Sequence, residues 1–208
     1  MNSLVDAFVS SELDTVGRKT ADLCAHPGEK GFENEQRGQL DNDTVAQVLD
    51  AGIMKLGVPY RYGGLEVDYE LIPEISLTLG RACLATSWTI GILLQHNMQM
   101  GLFPEQAQDE FWANGPSTFA PGFIIPGGTA RKVSGGYSLT GHWRFGSGYP
   151  FGDWILLSAH VLADDGSKYV RRFALPRADT QAPRPRRLRI PATRCRCRCC
   201  CAGAGRSR

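Results

Sequence analysis

The residues most suited to chemistry lie in Gly141-His142-Trp143-Arg144-Phe145-Gly146-Ser147-Gly148, followed by Asp153-Trp154-Ile155-Leu156-Leu157. The spacing predicts a strand with alternating bulky residues, a serine between glycines, then a second strand. A large aromatic two residues before a small hydroxyl suits a flat tricyclic cofactor such as a flavin. The ring packs on the cofactor face, the hydroxyl bonds a ring nitrogen, and the glycines let the backbone come close. A second pair, Trp88 and His96, is eight residues apart on a predicted helix, about two turns, which predicts roughly one face. His26, His142 and His160 show no metal-ligand spacing with Asp, Glu or Cys, so no metal is expected.

The elements that must position these residues change character near Gly115. Before it, apolar residues recur near helical spacing (Leu4, Val5, Phe8, Val9, Leu13, Val16), predicting a helix over 4–24. A loop is expected at His26–Gly31. Asp43 or Thr44 is the expected cap of a helix running to about Leu56. Gly57-Val58-Pro59-Tyr60-Arg61-Tyr62-Gly63-Gly64 reads as a tight loop, and helices are expected at about 70–84, 86–100 and 104–113. From Thr118 the period becomes two, predicting strands at 118–124, 128–133, 136–146, 154–162 and 168–175, with turns at Ser134-Gly135-Gly136 and Asp164-Asp165-Gly166. Helices followed by strands indicate an α+β chain: a helical domain over 1–114 and a small antiparallel β domain over 115–177.

The net charge of +2 is misleading. Nine of the 23 basic residues, but only one of the 21 acidic ones, lie in 178–208. The body, 1–177, therefore carries 14 basic and 20 acidic residues, a charge of −6, which argues against a nucleic-acid partner. Two isolated cysteines in the body, Cys24 and Cys83, suit a reducing compartment. No apolar run is long enough for a membrane span, Asp6 and Glu12 interrupt any signal-like start, and a cytoplasmic location is expected. The last 31 residues hold five cysteines, three prolines and dense arginine, without lysine or glutamate. They are expected to be disordered. Thiolates could bind soft metals and arginines could bind phosphates. The favoured reading is the out-of-frame product of a GC-rich gene.

Three segments resemble the acyl-CoA dehydrogenase superfamily, nearest its flavin-dependent monooxygenase branch of two-component 4-hydroxyphenylacetate and steroid-phenol hydroxylases and dibenzothiophene monooxygenases. Gly57–Gly64 resembles a Val-Pro-x-x-Tyr-Gly-Gly loop. Gly135–Gly148 resembles the flavin strand, and Asp153-Trp154 the strand after it. The resemblance implies that Ser147 bonds the flavin N5 edge and that Phe145 packs near the ring. Trp143 reads equally as cofactor contact or core. Phe119, Pro121 and Gly122 stand where the superfamily passes the flavin through its backbone; Phe-Ala-Pro replaces the Thr-Glu-Pro type of the dehydrogenases, which favours the monooxygenase branch. In the resembling hydroxylases a histidine at the place of His96 contacts the phenol and a tryptophan near Trp88 lines the pocket. A histidine near neutral pKa can take the phenol proton.

The implied activity is hydroxylation of an aromatic substrate by the oxygenase component, using O2 and reduced flavin (FMN or FAD) delivered by a separate reductase, in a homo-tetramer. Ser147 and His96 are the residues implied to be catalytic. The superfamily's C-terminal four-helix bundle is missing from the matched pattern, so this chain is expected to be a truncated and inactive form. The rivals are an acyl-CoA dehydrogenase using FAD and a non-enzymatic fragment.

Overall fold

A computed structural model describes residues 3–24, 31–163, 165–184 and 187–195. Of the loop expected at His26–Gly31, all but Gly31 lies outside the described residues, as do Asp164 and the cysteine-arginine run from 196 onward. The chain divides into two compact units. One comprises Met1–Met98 with Asn114–Ser117, and the other Gln99–Ala113 with Thr118–Arg208.

The first unit is helical: α1 (Ser3–Cys24), α2 (Gly31–Arg37), α3 (Asn42–Asp50), α4 (Leu71–Ala82) and most of α5 (Leu84–Met100). The α3 cap is Asp41, not Asp43 or Thr44. Its carboxylate accepts the Thr44 N–H at 3.0 Å and the Thr44 hydroxyl at 2.6 Å, satisfying an orphan donor of the first turn. The helix stops at Asp50, short of the expected Leu56, because Gly52 enters the left-handed region (φ 78°) and the chain tightens into a 3-10 turn at Ile53–Lys55. The short α2 was not expected. Its one large apolar residue, Phe32, is exposed, so it has no apolar stripe, and Asn34 ties it to Asp41 at 3.3 Å. Gly57–Gly64 is the tight loop foreseen: a Cβ on Gly64 would run into the Val58 backbone. Helices α4 and α5 cross closely at small residues, with the Ser87 hydroxyl bonding the Ser76 carbonyl at 2.6 Å and Gly91 facing Ser76.

The second unit contains the last turn of α5, α6 (Glu105–Phe111) and a seven-stranded sheet. The strands are β1 (Gly122–Phe123), β2 (Gly128–Val133), β3 (Gly136–Arg144), β4 (Trp154–Leu162), β5 (Lys168–Pro176), β6 (Gln181–Arg184) and β7 (Arg187–Cys195). The expectation of an antiparallel domain is corrected. Both β1 and β2 run parallel to β4, at Leu156–Leu157 and His160–Leu162, while β5 pairs antiparallel with β4 along its whole length. A central strand covered on both faces needs a continuous apolar run, and Ile155–Ala159 is buried throughout. The core gathers Phe123, Trp143, Tyr149, Leu157 and Phe173.

A second correction concerns the arginine-rich segment. Disorder was expected from 178 onward, yet β6 and β7 form a hairpin and β7 pairs antiparallel with β3 from Tyr137–Cys195 to Arg144–Arg187. Composition measures what side chains can bury. A hairpin added to a sheet needs chiefly backbone groups, and β3 has a row of them to satisfy. The register slips between Leu139 and Gly141, where one β3 residue opposes Pro191 and Ala192; proline, lacking an N–H, is tolerated at such a bulge. The expected strand at 118–124 shrinks to two residues for the same reason. Pro121 and Pro126 bracket it, although the Pro121 carbonyl still accepts the Leu156 N–H at 2.8 Å.

Candidate flavin-binding platform

The ends of β1 and β3 meet through a ring and a glycine. Phe123, on β1, is buried against Gly146, two residues past β3. A Cβ on Gly146 would stand 2.5 Å from Phe123 Cε1 and nearer still to Cζ. Tyr149 closes the ring edge-on at 6.1 Å, and the turn Gly146–Phe151 is held by Tyr149 N–H to Gly146 C=O (3.1 Å) and Phe151 N–H to Gly148 C=O (3.0 Å).

The side chains flanking that contact point outward. Ile124 and Ile125 are 66% and 73% exposed, and Phe145 is 79% exposed. Phe145 also sits at φ 64°, a left-handed conformation that costs a non-glycine residue about 1–2 kcal/mol. Backbone strain that presents an aromatic ring to water calls for a reason, and a ligand over that ring supplies one. Ser147 follows, half-buried. The arrangement is a platform of three open apolar side chains with a hydroxyl beside it. That matches the chemistry of a flavin, which has an apolar ring face and a polar edge.

Trp143 does not belong to the platform. Its ring is buried and its indole N–H bonds the Ser158 carbonyl at 2.7 Å, while Gly127, Gly128 and Gly141 leave room for it. Of its two readings, the structure takes the core. Phe119, Pro121 and Gly122 are buried on the segment entering β1, so their side chains offer no open surface. Gly152 packs against Pro121, which ties that segment to the start of β4.

Trp88 and His96 both lie on α5, in the helical unit, but not on one face. Eight residues turn an α-helix to about 80° from its starting azimuth. Trp88 shares its open side with Ile92 and Gln95, and is 64% exposed. His96 belongs to the covered side with Leu93, Asn97 and Met100, and is 2% exposed.

Sequence reasoning missed Arg172. Its guanidinium bonds Gln99 Oε1 (2.9 Å), Ser158 Oγ (3.3 Å) and the Phe123 carbonyl (3.5 Å), and its buried Nε has no partner. Burial pushes it below the ordinary arginine range. Strand parity held the signal: Arg171 and Arg172 are adjacent on β5, so they face opposite sides of the sheet, and one must meet a covered face. Arg171 goes to the Tyr137 hydroxyl at 2.6 Å.

A helical unit and a mixed sheet agree with the α+β class that the resemblance to the acyl-CoA dehydrogenase superfamily implies. No protein-family model matches the chain. The pigment production hydroxylase of a Rhodococcus species is 31% identical over 147 residues, 71% of this chain and 38% of that protein. The oxygenase subunit HsaA of Mycobacterium tuberculosis, a flavin-dependent monooxygenase, is 32% identical over 145 residues, 70% of this chain and 37% of its own. Its crystal structure superposes with a TM-score of 0.82 at 26% identity, covering 86% of this chain and 50% of that one. Streptomyces XiaF, solved in complex with FADH2 and glycerol, shares the fold with a TM-score of 0.75 at 24% identity, covering 92% of this chain and 50% of its own. Over these residues the chain is similar to oxygenase components of flavin-dependent monooxygenases. It spans about half the length of the solved structures it matches, and less than that of the curated relatives.

Proposed function

We propose that this chain serves flavin-dependent hydroxylation of a phenolic substrate, as the flavin-contacting part of an oxygenase component. The open apolar platform of Ile124, Ile125 and Phe145 carries this reading. When bound, the reduced flavin supplies the oxygen chemistry with O2. The chain supplies position and dryness. Phe145 and the two isoleucines cover a ring face and exclude water. Ser147 stands at the polar edge, and the flavin contact of Phe119, Pro121 and Gly122 is carried over from the resemblance, the Pro121 carbonyl being already engaged by the Leu156 N–H. A substrate role for Trp88 and His96, with His96 taking the phenol proton, enters the proposal from the resemblance alone. FMN and FAD both suit the platform, which touches only the ring.

The proposal includes a separate reductase, as the names of the relatives as oxygenase subunits support, and the homo-tetramer of the resembling enzymes. The free thiols Cys24 and Cys83 support a cytoplasmic setting, and no described helix is long and apolar enough to cross a membrane. The test is an anaerobic fluorescence titration of the purified chain with reduced FMN and FAD, repeated with oxidised FAD and an acyl-CoA. Saturable binding of reduced flavin, weakened several-fold in Phe145→Ala and Ser147→Ala, is expected. Bleaching of oxidised FAD by the acyl-CoA would assign the dehydrogenase chemistry instead. No saturable binding of either flavin would refute the proposal.

A further inference from the structure

Arg172 is a partly buried cation, its Nε fully covered, with no carboxylate to meet it among the described residues. The ion pairs Lys19–Asp50 and Glu33–Arg37 do not involve it. A charge so placed is costly, and an apolar side chain of similar length is often the more stable choice. The partners it does have are specific. Gln99 lies in the last turn of α5, where the helix end favours a cation. Ser158 is its cross-strand neighbour on β4. The Phe123 carbonyl belongs to the peptide whose N–H is that of Ile124, the first platform residue. A cation at a peptide carbonyl polarises the whole amide and strengthens its N–H as a donor.

We propose that Arg172 is a positioning residue for the platform, orienting the Phe123–Ile124 peptide from behind and biasing the site toward the more negatively charged, reduced flavin. This rests on the flavin reading above. Its structural half, the hold on the β1 end, stands without any ligand.

The experiment compares wild type, Arg172→Met, Arg172→Lys and Gln99→Leu, all as the full 208-residue chain. Hydrogen exchange is read at the Ile124 and Ile125 amides in the ligand-free protein, and binding is read for oxidised and reduced FMN. In Arg172→Met the two amides should exchange several-fold faster while β2 and β4 amides hold. The reduced-over-oxidised preference should fall by about three- to tenfold, the effect of removing one partly screened charge. Arg172→Lys should recover part of that preference, and Gln99→Leu should loosen the same amides with the charge still present. Wild-type exchange at Ile124 and Ile125 in both Arg172→Met and Gln99→Leu would overturn the hold. A uniform loss of affinity for both redox states would overturn the bias and leave a packing role. If wild type binds neither form, the flavin reading falls and the bias with it, while the exchange data still decide the hold.

Discussion

Gly146→Ala is the substitution that probes the join between β1 and β3. Gly146 is outside the left-handed region, so its backbone accepts alanine without strain, and the cost comes from the Phe123 ring alone. The new methyl would lie 2.5 Å from Cε1 and closer to Cζ, whereas carbon atoms in contact sit about 3.5–4.0 Å apart. The overlap exceeds 1 Å on a ring that is buried and closed on its other side by Tyr149. Overpacking a rigid site costs about 1–3 kcal/mol, and the absence of any escape for the ring places this variant near 3. For a unit of roughly 100 residues, that lowers Tm by roughly 10–20 °C. Urea and thermal unfolding, read by tryptophan fluorescence, give the value. The double variant Gly146→Ala/Phe123→Leu provides the control: with the ring gone the alanine should cost less than about 1 kcal/mol, giving a coupling above 1.5 kcal/mol between the two positions. A Gly146→Ala protein within 0.5 kcal/mol of wild type, or strict additivity in the cycle, would refute the join and with it the geometry of the platform.

Trp143→Phe removes the indole donor to the Ser158 carbonyl and part of a buried ring; a loss of about 2–4 kcal/mol in urea unfolding is expected, with flavin affinity changed far less than by Phe145→Ala. Phe145→Gly releases left-handed strain of about 1–2 kcal/mol and loses about 0.5–1 kcal/mol to glycine's entropy, so stability should hold or rise slightly while flavin binding weakens. A fall of more than 2 kcal/mol would show Phe145 to be a packing residue. Burial pushes the Cys24 thiol up, and its Sγ donates to the Thr78 carbonyl at 3.3 Å. Alkylation at Cys24 should therefore lag behind a model thiol at pH 8–9. The sign of the linkage follows, since the folded state holds this proton more tightly. The contribution is complete below the unfolded thiol pKa and is lost as pH rises through the folded one, a slope that Cys24→Ala should abolish.

Strands β2 and β4 were legible to the residue, because each combines an uninterrupted β pattern with a glycine or a turn at its ends. Helix α5 was legible in extent but not in its faces. It is apolar on most sides, so spacing alone could not tell the covered azimuth of His96 from the open one of Trp88. Phe145 and Ser147 were singled out from local spacing, and their flavin role is a proposal. Strand parity would put Trp143 and Phe145 on one face, but β3 ends at Arg144 and the positive φ at Phe145 breaks the alternation, sending one ring inward and the other out. The parallel pairings of β1 and β2 with β4 and the docking of β7 on β3 depend on backbone partners distant in sequence, which no window of residues carries. Arg172 escaped for a similar reason, as its surroundings come from three separate segments.

The central claim is that a flavin ring covers Ile124, Ile125 and Phe145. Hydrogen exchange with and without saturating reduced FMN tests it most directly. Slowed exchange confined to amides 122–125 and 145–148, with residues of the α1–α3 groove such as Lys19 and Gln47 unchanged, is the predicted result. Binding that leaves those two segments exchanging at their free rates, or that protects a different surface, would contradict it.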